Sequence, residues 1–108
     1  MNKRNFGISI LTSIIILLPI LAGVLLWDQL SPQIPIHWNL QGAVDGMVPK
    51  AVAVFGFPVL MLVLHWISTA LTKRESEGKR AFAYWFIPLL TLILSGVIYY
   101  FALWAGFQ

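Results

Sequence analysis

The chain has 108 residues, of which 59% are hydrophobic and only 10% charged, with a net charge of +3 and no cysteine. A soluble domain carries about a quarter of its residues as Asp, Glu, Lys and Arg, so this composition points to lipid as the solvent, and it excludes disulfides and thiolate metal sites. The basic residues flank apolar runs, where membrane topology accounts for them, and nucleic acid is not an expected partner.

Residues 5–27, 51–72 and 81–108 contain no Asp, Glu, Lys or Arg. A helix needs roughly 20 mainly apolar residues to cross the hydrocarbon core. The sequence therefore predicts an all-α integral membrane protein with three transmembrane helices, at about 6–27, 51–71 and 82–106, and a compact extracytoplasmic loop over 28–50. One membrane domain spans 1–108, and the lipid bilayer is its first partner. Lys3 and Arg4 precede the first apolar run, but that run reaches Trp27. A cleavable signal has a shorter apolar region, about 7–15 residues, so an uncleaved anchor is expected.

Orientation follows from the basic residues, which collect on the cytoplasmic side of short loops. Lys3 and Arg4 lie before the first helix, and "KRESEGKR" after the second supplies Lys73, Arg74, Lys79 and Arg80. The 28–50 loop has only Lys50 against Asp28 and Asp45. The expected topology is N-terminus inside, C-terminus outside. Trp27, Trp38, Tyr99, Tyr100 and Trp104 then fall near the outer interface, and Trp66, Tyr84 and Trp85 near the inner one. Gly78 in the inner connector reads as a helix stop or hinge.

Each span holds one proline: Pro19, Pro58 and Pro88. Pro19 and Pro58 belong at similar depth, where two kinks either splay the first two helices around a small polar vestibule or simply shape their packing. Small residues four apart (Ser9/Ser13, Thr91/Ser95, Ala102/Gly106) suit close helix contact. His65 is the ionisable residue deep within a span, and such residues mark function by default. The alternative is a neutral histidine that bonds the third helix or caps a backbone carbonyl.

The outer loop contains "IPIHWNLQGAVDGMVPK", Ile34 to Lys50. Pro32 and Pro35 end the first helix by forcing extended backbone before them. An extended chain alternates its faces, which would put Ile34, Ile36 and Trp38 on an apolar face and Pro35, His37 and Asn39 on the other. Gly42 and the Asp45-Gly46 pair are turn signals, and an Asp side chain can hold such a turn. The loop is expected as an extended arm, a tight turn and a return. His37 and Asp45 are too few to complete a zinc site, which takes three or four protein ligands. No nucleophile stands beside a base, so no catalytic residue, metal or cofactor is assigned.

The run Pro35, His37, Trp38, Asn39, Gly42, Asp45, Gly46 and Lys50, between two apolar spans, resembles the N-terminal membrane domain of the SdpI-type bacterial toxin-immunity proteins and their small relatives. The resemblance covers Phe6 to Leu71 and extends to the third helix by arrangement only. It implies a non-enzymatic multi-pass protein that confers immunity to a secreted peptide toxin, and in that family a cytosolic repressor can be held at the membrane. The full-length proteins carry further C-terminal spans that this sequence lacks.

The leading expectation is a protein that recognises or resists a membrane-active peptide through its outer loop. His37, Trp38, Asn39, Asp45 and Lys50 would bind the ligand, while Pro35, Gly42 and Gly46 shape the loop. Asp45 and Gly46 would set the turn, and Trp38 would seat the loop at the interface. A second reading is an oligomeric transport or channel-like subunit that uses His65, with a second copy or another membrane protein as partner. A third is an extracytoplasmic metal site at His37 and Asp45.

Overall fold

The computed structural model describes residues 3–105. Helix α1 (Lys3–Leu25) leads through a short 3-10 turn (Trp27–Gln29) into strands β1 (Gln33–Trp38) and β2 (Val44–Pro49). A π-helical segment (Val52–Gly56) runs directly into α2 (Phe57–Leu71), and α3 (Glu77–Ala105) follows. Among the described residues, three helices are long and apolar enough to cross a membrane: Lys3–Leu25, Val52–Leu71 and Glu77–Trp104. At 1.5 Å per residue each gives about 30 Å of rise or more. Only 22–28% of each span is buried inside the protein. The outward remainder includes Leu11, Ile14, Leu18 and Leu21 on α1 and Leu89 and Ile93 on α3. Helices that are apolar on their unburied faces are built for lipid.

Two departures from the expected fold concern the connections. The 28–50 segment is not loop alone, because β1 and β2 form a two-stranded antiparallel sheet. The all-α reading therefore holds for the spans and fails for the segment between the first two. The other departure is α3, which begins at Glu77, five residues before Phe82. Ser76 stands at its start, with its carbonyl accepting from Arg80 N at 3.0 Å, and Glu77 places an anion at the positive end of the helix. Gly78 lies inside that first turn rather than stopping a helix. At the far end of the span, Gly106 lies outside the described residues.

Both kinks are packed. A proline cannot donate the backbone bond that an α-helix expects four residues back. Just before Pro58 the helix opens into the π-helical segment, where Phe57 N–H reaches Val52 O, five residues back. Such widened turns are the usual response to an interrupted ladder. Pro19 and Pro58 are both buried. They do share a level, since Gly23 meets Val54 one turn outward of each. The space above them is not a polar vestibule. It is filled by the apolar cluster of Leu30, Ile34, Ala53, Val54 and Ala102.

Close approach decides one glycine. A Cβ on Gly23 would stand 2.5 Å from Val54 Cγ1 and 2.6 Å from the Tyr99 hydroxyl. All three helices meet there, and only glycine fits. Tyr99 belongs to this contact rather than to an interfacial belt, because its hydroxyl donates to Pro19 O at 2.6 Å. Deeper along the bundle, a second cluster of Ile16, Met61 and Leu62 packs against Phe57, Ile87 and Leu90. The small residues Thr91, Ser95 and Ala102 of α3 are buried, as their spacing leads one to expect.

Candidate functional site

The hairpin is tied to the helices at three points and closed at its base by a fourth contact. Ile34 is fully buried among Leu30, Val54 and Ala102, pegging β1 to the helix ends. Ser31 N–H donates to Ala102 O at 3.4 Å, satisfying one of the carbonyls left open in the last turn of α3. Trp38 leans on Phe101 of α3 with ring centroids 4.8 Å apart. At the other strand end, Lys50 N–H donates to Pro32 O at 3.0 Å.

Strand register explains which side chains point where. Gln33, Ile34 and Pro35 pair with Pro49, Val48 and Met47, then His37 pairs with Gly46 and Trp38 with Val44. Ile36 is thus an extra residue in β1, and Asp45 an extra residue in β2. The two bulges offset each other. They also break the expected alternation: Ile34 and its neighbour Pro35 are both buried, while Ile36 is 46% exposed.

Bulging brings Asp45 back across the ladder, where its Oδ1 meets His37 Nδ1 at 2.5 Å on the exposed side of the hairpin. Gly46 is what lets the strands close there, since a Cβ on it would lie 3.1 Å from His37 Cβ. Asp45 and Gly46 therefore do not set the turn. Asn39 does: its Oδ1 accepts from Gln41 N–H and Ala43 N–H, both at 3.0 Å. Gly42 completes the turn at φ +82°, a conformation that favours glycine. Leu40 stands fully exposed at the tip. Lys50 is spent as well, with Nζ donating to Trp27 O at 2.8 Å and lying 4.6 Å from the centre of that indole ring.

Of the residues singled out from sequence, the fold brings His37 and Asp45 together in an exposed pair. Asn39, Gly42, Gly46 and Lys50 hold the hairpin's shape, and Pro35 and Trp38 seat it. Ile34, Trp27 and Phe101 carry equal weight in that seating. The sequence places Ile34 on the loop's apolar face and Trp27 near the outer interface, whereas nothing separates Phe101 from an ordinary span residue. No group of three or more His, Asp or Glu side chains that could hold a metal occurs among the described residues.

Beneath the hairpin a lateral apolar groove of about 490 Å³ opens between it, α2 and α3. Pro35, Ile36 and Trp38 form its hairpin side, and Phe57, Leu60 and Leu94 are among the helix residues facing them.

His65 lies apart from this region. It is fully buried, and its Nε2 meets Thr12 Oγ1 of α1 at 2.9 Å. Thr12 already gives its hydroxyl proton to Ile8 O at 2.8 Å, so the oxygen accepts and Nε2 carries the hydrogen. That leaves Nδ1 as a buried acceptor with no partner among the described residues, and Ser95 Oγ is a second such atom. The expected bond from His65 to the third helix is instead a bond to the first.

One family model, described as a domain of unknown function (DUF1648), matches residues 14–62. The similarity takes in the hairpin-side half of α1, the whole hairpin and the π-helical entry into α2. No curated protein and no solved structure matches the chain.

Proposed function

We propose that the chain is a non-enzymatic multi-pass protein of a bacterial plasma membrane that recognises or resists a secreted membrane-active peptide at its hairpin end. The observation that carries this reading is the juxtaposition of an apolar groove with an exposed polar hairpin face. A membrane-active peptide is amphipathic. Its apolar side chains can enter between Ile36, Leu60 and Leu94, while its polar side meets the exposed His37–Asp45 pair. Pockets of several hundred Å³ lined by apolar groups with a few fixed polar ones suit such binding. The hairpin end has one cation, Lys50, and two anions, Asp28 and Asp45. That end therefore faces outward under the positive-inside rule, toward an arriving toxin. The resemblance to SdpI-type immunity proteins supports the same assignment. The residues that carry it lie in the segment matched by the family model.

The test is survival of toxin-sensitive bacteria that express the full chain, Asp45→Asn or Ile36→Lys at equal membrane levels. Protection by the wild type, reduced at least tenfold by Ile36→Lys, is expected. Absence of protection by the wild type sinks the proposal. A second reading, an oligomeric transport subunit, draws on the unpartnered Nδ1 of His65, since a buried ionisable side chain without full satisfaction is functional by default. That reading requires His65→Leu to abolish a proton or ion flux in vesicles while wild-type protein supports it.

A further inference from the structure

The opposite end of the bundle holds a different kind of cavity. It has a volume of about 660 Å³ and lies between all three helices, lined by Ser9 of α1, Trp66 and Thr69 of α2, Tyr84 of α3, and Lys73 and Arg74 just beyond α2. Unlike the groove under the hairpin, its lining brings hydroxyls and cations together with the aromatic rings. This end of the chain carries six cations, Lys3, Arg4, Lys73, Arg74, Lys79 and Arg80, against two anions, Glu75 and Glu77, leaving +4. The anions are placed elsewhere: Glu75 pairs with Lys79 at 3.5 Å, and Glu77 lines a neighbouring cleft with Arg4 and Arg80. Lys73 and Arg74 have neither an ion pair nor a side-chain hydrogen bond among the described residues.

The geometry points to a phosphate-binding site in this cavity, filled by the headgroup of an anionic phospholipid. A guanidinium grips two phosphate oxygens at once and an ammonium adds a compact point charge. The Ser9 hydroxyl can donate to a remaining oxygen, whereas Thr69 already gives its proton to Trp66 O at 3.1 Å. Trp66 and Tyr84 supply amphipathic rings at the level where headgroup meets acyl chain. The Trp66 indole is held in place by its N–H, which donates to Ser13 Oγ at 3.0 Å. Basic pockets between membrane helices are the usual form of such sites. A diffuse basic rim attracts any anion weakly. Here two unpaired cations converge on one cavity of headgroup size.

The test uses the full chain in vesicles of phosphatidylcholine with a minor fraction of phosphatidylglycerol, with bound lipid counted by native mass spectrometry after mild extraction. Wild-type protein should retain one phosphatidylglycerol, and the Lys73→Gln/Arg74→Gln double variant should retain it at least fivefold less often. Lys3→Gln/Lys79→Gln removes as many charges outside the cavity and should behave as wild type. A parallel arm in neutral detergent measures whether millimolar inorganic phosphate raises the melting temperature. A rise that needs Lys73 and Arg74, without lipid retention, keeps the phosphate site and assigns it to a soluble ester. Equal retention in the wild type and the double variant, or equal loss in the control variant, overturns the proposal, as does failure of both arms. Melting curves of both variants confirm that each is folded.

Discussion

The two ends of this bundle carry polar residues in opposite ways. At the hairpin end they are conspicuous in the sequence, yet nearly all are committed. Asn39 holds a turn, Lys50 holds the Trp27 carbonyl and ring, and His37 and Asp45 hold each other. At the basic end the residues look like ordinary topological markers, yet Lys73 and Arg74 line a cavity and take no partner among the described residues. A dense polar motif can thus be a structural clasp, while unspent hydrogen-bonding capacity sits where the sequence looks plain. At the hairpin end folding leaves a ligand the apolar groove and the exposed outer edge of the His37–Asp45 pair.

Substitutions can sharpen or break this contrast. The largest effect is expected at Gly23, where a side chain collides with Val54 and Tyr99. Gly23→Leu should cost about 3 kcal/mol or more by overpacking, seen as a lowered unfolding midpoint in detergent. Ile34→Ala empties the peg of the hairpin and should cost about 2 kcal/mol. In the same preparation, amide exchange across β1 and β2 should rise while exchange at Trp66 to Leu71 stays unchanged. If both ends loosen together, the hairpin end is not an independently closed unit. Asn39→Ala removes the acceptor for two turn amides and should cost about 1 kcal/mol, with faster exchange at Gln41 and Ala43 as its signature. The smallest effect belongs to the basic end: Gly78→Ala meets nothing within 4 Å and should shift stability by less than about 0.5 kcal/mol. A large loss there would mean that the open end is more tightly built than its geometry indicates.

The spans were legible because hydrophobicity over about 20 residues is a coarse, robust signal, and apart from the early start of α3 at Glu77 the helices begin and end within a few residues of the expected positions. The extended arm, turn and return were legible from Pro35, Gly42 and the polar run between them. The turn's location was not. Asp45-Gly46 and Asn39 with Gly42 are both acceptable turn chemistry, and only the pairing of the strands decides between them. Offsetting bulges leave no period in the sequence, so the expected alternation fails at Pro35, which lines the groove together with Ile36 and Trp38. His65 was visible as an isolated titratable residue, whereas its partner Thr12 is one of several hydroxyls on α1. The glycine that matters most, Gly23, looks no different in sequence from Gly7 or Gly96, whose added Cβ would meet nothing.

The paired bulges impose a spelling rule on the hairpin. Ile36 and Asp45 are each one residue too many, and each corrects the other. Deleting Asp45 alone turns every later residue of β2, Val48 included, to the opposite face, and deleting Ile36 alone does the same to His37 and Trp38. Deleting both leaves the two strand ends in register and yields a plain ladder without the His37–Asp45 pair. Length changes compatible with this fold should therefore come in matched couples within the strands, or singly only in the turn between Asn39 and Ala43.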